Sequence, residues 1–188
     1  MFFASLFGSK VLLRTSAASY RRNGARGSLL TLRVGANMSE FQELANNYSR
    51  CYGKTKLKFG KRPVLIIIDA VRAYVDPNSP LYAPDRFEAA RQSMARLLEN
   101  CRASKVRIIY TSVIYETPED GGKCTSGCVR ATALDSMQHG YSPFVVKEAC
   151  GDRHQSVNDS NLFDMDQKFA EVVSEEDIMT LIDGINKS

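Results

Sequence analysis

Histidine is scarce in this 188-residue chain, which holds only His139 and His154. Structural zinc sites take four closely spaced Cys or His ligands. Two histidines and an isolated Cys124–Cys128 pair fall short of that, so no metal and no other cofactor is expected. The five cysteines, Cys51, Cys101, Cys124, Cys128 and Cys150, are odd in number and irregular in spacing. They make a poor disulfide framework and fit a reducing compartment. No apolar run approaches the ~18 residues of a membrane span, so no stable membrane insertion is expected. There is no internal repeat. GGKCTSG is not a phosphate-binding Walker loop, because its glycine, lysine and hydroxyl spacings are wrong.

Acidic residues are missing altogether from residues 1–38, which carry Lys10, Arg14, Arg21, Arg22, Arg26 and Arg33. The formal charge of +4 comes from this stretch. Without its six cations the balance is 19 basic residues (25 less 6) against 21 acidic. Bulk basicity therefore gives no reason to expect a nucleic-acid partner. An Arg- and Ser-rich, acid-free segment with scattered apolar residues fits a mitochondrial transit peptide. A disordered tail, or translated upstream sequence before Met38, fits it as well. The reading sets 1–38 aside as a targeting or disordered segment, 39–61 as a helix and linker, and 62–188 as the folded domain. The localisation expected is mitochondrial by this segment, otherwise cytoplasmic.

What remains alternates between two periodicities. Val64 to Ile68 is a continuous β-branched and apolar run, the pattern of a strand buried on both faces. Phe87, Ala90, Met94, Leu97, Leu98 and Cys101 recur at helical spacing and predict an amphipathic helix over 85–102. Further strands are expected at 106–110, 143–146 and 171–173. Helices are expected from Cys128 to a stop at Gly140, over 159–170, and after Ser174, where Asp177 completes a capping-box pattern. This alternation implies an α/β, three-layer αβα fold with a mainly parallel sheet. Ligands in such sheets bind at the carboxyl ends of the strands. Asp69, the loop before Cys128 and the loop after Val146 all fall there.

Three residues could carry chemistry. Cys128 lies where the small-residue loop Thr125-Ser126-Gly127 enters a helix. Helix N-terminal amides and the dipole favour a thiolate and could serve an oxyanion. Read as a lone cysteine, it packs as a small apolar residue. Asp69 ends an apolar strand, as a general base or as a hydrogen-bonding partner of loop amides. Arg153 follows the 143–146 strand, as a carboxylate clamp or as a surface arginine paired with an acid such as Asp152. Arg72 and Tyr74 are weaker candidates of the same kind.

These segments carry a resemblance. VLIIIDAVRAYVDPNSPLY and CTSGCVRATALDSMQHGYSPFVVKEACGDR resemble isochorismatase-like cysteine hydrolases, in the form associated with N-carbamoylsarcosine amidase. The resemblance implies a Cys–Asp–Lys triad that hydrolyses an amide or related C–N bond through a thioester. It places the nucleophile on Cys128, the base on Asp69 and the substrate-carboxylate contact on Arg153, with Thr125 and Gly127 in the oxyanion loop. A small-molecule substrate and a homo-oligomer are implied too. Metal-dependent nicotinamidases of this superfamily carry Asp-x-His-x-His early in the chain, and here no histidine precedes His139.

The sequence departs from the family between Tyr110 and Cys128. The family places two strands, a helix and the catalytic lysine there, yet a single parallel crossover alone takes a dozen or more residues. Lys123 is the nearest lysine but lacks the family lysine's context. The domain is thus expected to be incomplete, with the 143–146 strand pairing directly with 64–68 or leaving a gap. Two functions follow. One is a cysteine-dependent amidase. The other is an inactive truncated isoform or gene-model fragment, serving at most as a binding or subunit-pairing remnant.

Overall fold

The computed structural model describes residues 2–7, 38–52, 56–112 and 127–185. Five strands form one sheet in the order β3-β2-β1-β4-β5. They are β1 (Phe2–Phe7), β2 (Arg62–Ile68), β3 (Arg107–Thr111), β4 (Ser142–Val146) and β5 (Glu171–Val173). The helices are α1 (Met38–Tyr52), α2 (Pro84–Ala103), α3 (Cys128–Gln138), α4 (Gln155–Lys168) and α5 (Glu175–Ile185). The strands and helices expected from Val64 onward are all present, most within two residues of their expected bounds.

β2 is sandwiched, and its alternate side chains enter two different cores. Leu65 and Ile67 pack with Ala90, Met94, Leu97 and Cys101 of α2 and with Ile178 and Ile182 of α5. Ile68 packs on the other face with Val129 and Ala133 of α3 and Met165 of α4. β4 repeats the division, Phe144 and Val146 to the first core and Val145 to the second. Strand residues alternate faces, so a run apolar at every position is what a three-layer arrangement demands. Of the six residues expected to line α2, five are buried, and Leu98 packs partly buried against the same core.

The centre of the sheet differs from expectation. β4 does not pair with β2, and no gap is left. Phe2–Phe7 lies between them, antiparallel to both. Its register runs from Phe2 opposite Ile67 to Phe7 opposite Arg62 on one side, with Ala4 to Leu6 opposite Phe144 to Ser142 on the other. Six residues of the stretch set aside as targeting or disordered sequence thus supply the middle strand. The physical reason is main-chain satisfaction, since two buried strands spaced apart would strand their inner N–H and C=O groups. β2 with β3 and β4 with β5 pair in parallel, as expected.

Local chemistry sets the element ends. α3 closes in a Schellman turn, with Gly140 at φ 82° and the Tyr141 and Gly140 amides donating to Ser136 and Met137. Ser174 accepts from the Asp177 amide at 3.0 Å, the anticipated cap of α5. The segment between α1 and β2 is no free linker. Phe59 packs edge-on against Phe144, and the Leu57 amide donates to Glu171 at 2.7 Å.

Candidate active site

Asp69 leaves the end of β2 with φ at 53°, the left-handed region, one of two non-glycine residues there among the described residues. Such a conformation costs free energy and persists only where the surroundings fix it. Thr111, at the end of β3, does the fixing. The Asp69 amide donates to both the carbonyl and the hydroxyl of Thr111 at 3.2 Å, and that hydroxyl donates back to the Asp69 carboxylate at 3.1 Å. The carboxylate is half-buried and held from one side. Thr111 was not singled out in the sequence. The signal exists but needs the register, in which Ile68 stands opposite Thr111.

Cys128 is the first residue of α3 and is half-buried. Gly127 precedes it in helical conformation and offers no side-chain cap, and the first turn carries no acid. Amides of a first turn have no intrahelical acceptor, so this end presents the positive end of the helix dipole to the thiol, with no acid in the first turn to offset it. Among the described residues, a Cβ added at Gly127 would meet nothing within 4 Å. Thr125 lies outside the described residues, as do Lys123 and Cys124.

α3 is held against α4 by a charged brace. Arg130 donates to Asp164 at 2.6 and 3.2 Å and lies over the Phe169 ring at 5.6 Å, while Lys168 pairs with the same carboxylate. Burial alone would push the Asp164 carboxyl up. The hydrogen bonds from Lys168 and Arg130 outweigh it and hold the group below the usual carboxylate range.

Arg153 follows β4 after a short 3-10 turn, Lys147–Ala149, and its side chain is exposed. The pairing with Asp152 takes a different form from a surface ion pair. Asp152 accepts the backbone N–H of Arg153 at 2.7 Å, and among the described residues no ion pair engages the guanidinium. Asp152 itself is only 5% exposed, and its second oxygen has no hydrogen-bond partner among the described residues. It borders a cleft that Asp85, Lys147, Glu148, Gln155 and Asn158 also line. Tyr74 is buried and stacked on Phe87 at 4.3 Å. Arg72 is exposed. His154 caps α4, accepting from the Ser156 amide at 3.3 Å.

Topology gathers the candidates. α3 runs antiparallel to β4, so Cys128 and Gly127 stand at the carboxyl end of that strand, where Arg153 follows. Ile68, the neighbour of Asp69, shares one apolar cluster with Cys150, and Cys128 packs against that cluster. Asp69, Cys128 and the loop carrying Arg153 therefore border one edge of the sheet. Among the described residues no group of three or more His, Cys, Asp or Glu could hold a metal ion. No helix among them is long and apolar enough to cross a membrane.

Residues 121–177 match the isochorismatase domain. The chain is 29% identical over 207 residues to maleamate amidohydrolase of Pseudomonas putida, covering 76% of this chain and 96% of that protein. It is 23% identical over 222 residues to N-carbamoylsarcosine amidase of an Arthrobacter species, covering 81% and 84%. Among solved structures, an isochorismatase-family protein from Chromobacterium violaceum superposes with a TM-score of 0.50 at 20% identity, over 70% of this chain and 99% of that one. This last likeness bears on the fold.

Proposed function

From the premise that this chain belongs to the isochorismatase family of hydrolases, we propose that it cleaves a C–N bond in a small carboxylate-bearing amide or ureido compound, with Cys128 as nucleophile. The observation that carries the reading is the position of Cys128 at the start of α3, where Gly127 offers no side-chain cap, on the sheet edge that Asp69 also borders.

The steps follow from these positions. The Cys128 thiol gives its proton to Asp69, and the sulfur attacks the substrate carbonyl carbon. First-turn amides near Gly127, with the Thr125 loop, take the charge that develops on oxygen. The tetrahedral adduct collapses to a thioester, and the leaving nitrogen departs as ammonia with the proton from Asp69. Water then attacks the thioester, Asp69 takes its proton, and the acid leaves as the thiol is restored. Arg153, with an exposed fork, would hold the substrate carboxylate in paired hydrogen bonds. Ammonia release from maleamate and from N-carbamoylsarcosine tests this, with Cys128→Ala as the control. Release that survives the substitution would reject the assignment.

A second reading has its own support. The alignment with maleamate amidohydrolase spans 207 residues but uses 76% of the 188 here, about 143, so about 64 of the 207 positions have no counterpart. Such a loss supports an internally truncated chain without the catalytic lysine, inactive and retained as a remnant. A cooperatively melting but inactive wild-type protein would favour this reading, and turnover would dismiss it. We infer no nucleic-acid partner for either reading, and self-association for both. Mitochondrial import by residues 1–38 is proposed from their composition. It conflicts with a structural role for β1 only if the segment is removed.

A further inference from the structure

We propose that β3 is a self-pairing edge, through which two copies of this chain join their sheets antiparallel about Ile109. Among the described residues β3 has a neighbour on one side only, being the outermost strand next to β2. Two large apolar side chains of the strand are exposed, Ile109 41% and Tyr110 58%, between exposed Arg107 and Thr111. Natural edge strands are protected by short length, charged side chains, proline, bulges or a covering element. Arg107–Thr111 is short and carries exposed Arg107 at its start, but its centre, Ile108 to Tyr110, holds no charge and no proline and pairs with β2 residue for residue without a bulge.

The hydrogen-bond phase of β3 fixes how a second strand would add. The Asp69 amide donates to the Thr111 carbonyl, and Ile68 stands opposite Thr111. In a parallel ladder, main-chain groups of alternate residues point to alternate sides. Arg107, Ile109 and Thr111 therefore face β2, and the N–H and C=O groups of Ile108 and Tyr110 face outward. A two-fold axis through Ile109 sets Ile108 of each copy opposite Tyr110 of the other. Those are hydrogen-bonded pairs, giving about four bonds across the seam. Ile109 meets its own counterpart as the closer, non-hydrogen-bonded pair. Arg107 falls opposite Thr111, so no like charges face each other.

This register pairs all five residues of the strand, with Ile and Tyr matched at the three central positions and Arg107 set against Thr111 at each end. That self-complementarity is the reason to assign the edge to a second copy rather than to an unrelated partner. A seam of five residues is small by the standard of stable interfaces, so the dimer forms only as concentration rises. The inference does not depend on whether the chain is catalytic.

Sedimentation velocity of the full chain over a concentration series tests it, together with two variants. The apparent mass is expected to rise from 20.9 kDa toward twice that value. Ile109→Lys should hold it at the single-chain value, by placing two ammonium groups opposite each other. Ile109→Cys should form a disulfide between copies on mild oxidation, because directly opposed Cα atoms ~4.5 Å apart lie within disulfide reach. Peptide mass mapping would identify the link as position 109 to itself. A wild type that stays monomeric overturns the proposal. So does a dimer that Ile109→Lys leaves intact, or a failure of position 109 to link to itself. If Ile109→Lys does not fold, the oxidation result decides.

Discussion

Removing Met1 to Phe7 should abolish the native sheet. β1 is paired at six positions with β2 and at three with β4. If each paired position is worth one ladder hydrogen bond of ~0.5–1.5 kcal/mol net, the loss is roughly 5–13 kcal/mol. Domains of this size have only ~5–15 kcal/mol in total. Partial recovery would require β4 to move one strand spacing, ~4.8 Å, to reach β2. That movement would have to carry α3 and α4 with it and repack both apolar clusters that β2 and β4 share. The assay is thermal unfolding followed by circular dichroism, on the full chain and on a chain beginning at Gly8. The shortened chain is expected to lack a cooperative transition at 25 °C or above. A cooperative melt within a few degrees of the full chain would refute the reasoning and show that Phe2–Phe7 does not hold the sheet together. The intact mass of the protein from cells bears on the same point, because a chain processed near residue 38 would have lost β1.

Three further outcomes follow from the site and its supports. Thr111→Val removes the hydroxyl that bonds the Asp69 amide and carboxylate. It should cost ~1–2 kcal/mol in urea unfolding, while Thr111→Ser should recover most of it. Asp164 has a carboxyl held low by Lys168 and Arg130, so it stabilises the fold fully above its unfolded value of ~3.9 and loses that contribution as pH falls through the lower folded value. The stability gap between wild type and Asp164→Asn, ~1 kcal/mol for a partly exposed network, should therefore be flat above about pH 5 and shrink in acid. A gap that widens in acid would contradict the brace. Burial pushes the Cys101 thiol up to about 11, so iodoacetamide at pH 8 should modify exposed Cys51 while Cys101 reacts only on unfolding.

Sequence and structure part company at particular residues. Val64–Ile68 was readable because a strand covered on both faces must be apolar at every step, and the helices because their apolar spacing is local. Gly140 and Ser174 mark ends by backbone and capping chemistry within a few residues. β1 was not readable. FFASLF sits in a stretch whose acid-free, Arg-rich composition resembles a presequence, and its strand character depends on partners about 60 and 140 positions away. Thr111 and the Arg130–Asp164 contact are likewise non-local, the first a matter of strand register and the second of α3 meeting α4. Of the site, the positions of Asp69 and Cys128 at strand and helix ends were legible. The left-handed turn at Asp69 and the orphaned oxygen of buried Asp152 were not, because both depend on tertiary surroundings.

The measurement closest to the central claim is ammonia release by the purified full chain, given maleamate or N-carbamoylsarcosine, before and after Cys128→Ala. The account predicts release by the wild type and loss of at least a hundredfold in the variant, with its melting curve unchanged. Equal rates in the two proteins, or a folded wild type that releases no ammonia from either compound, would contradict it.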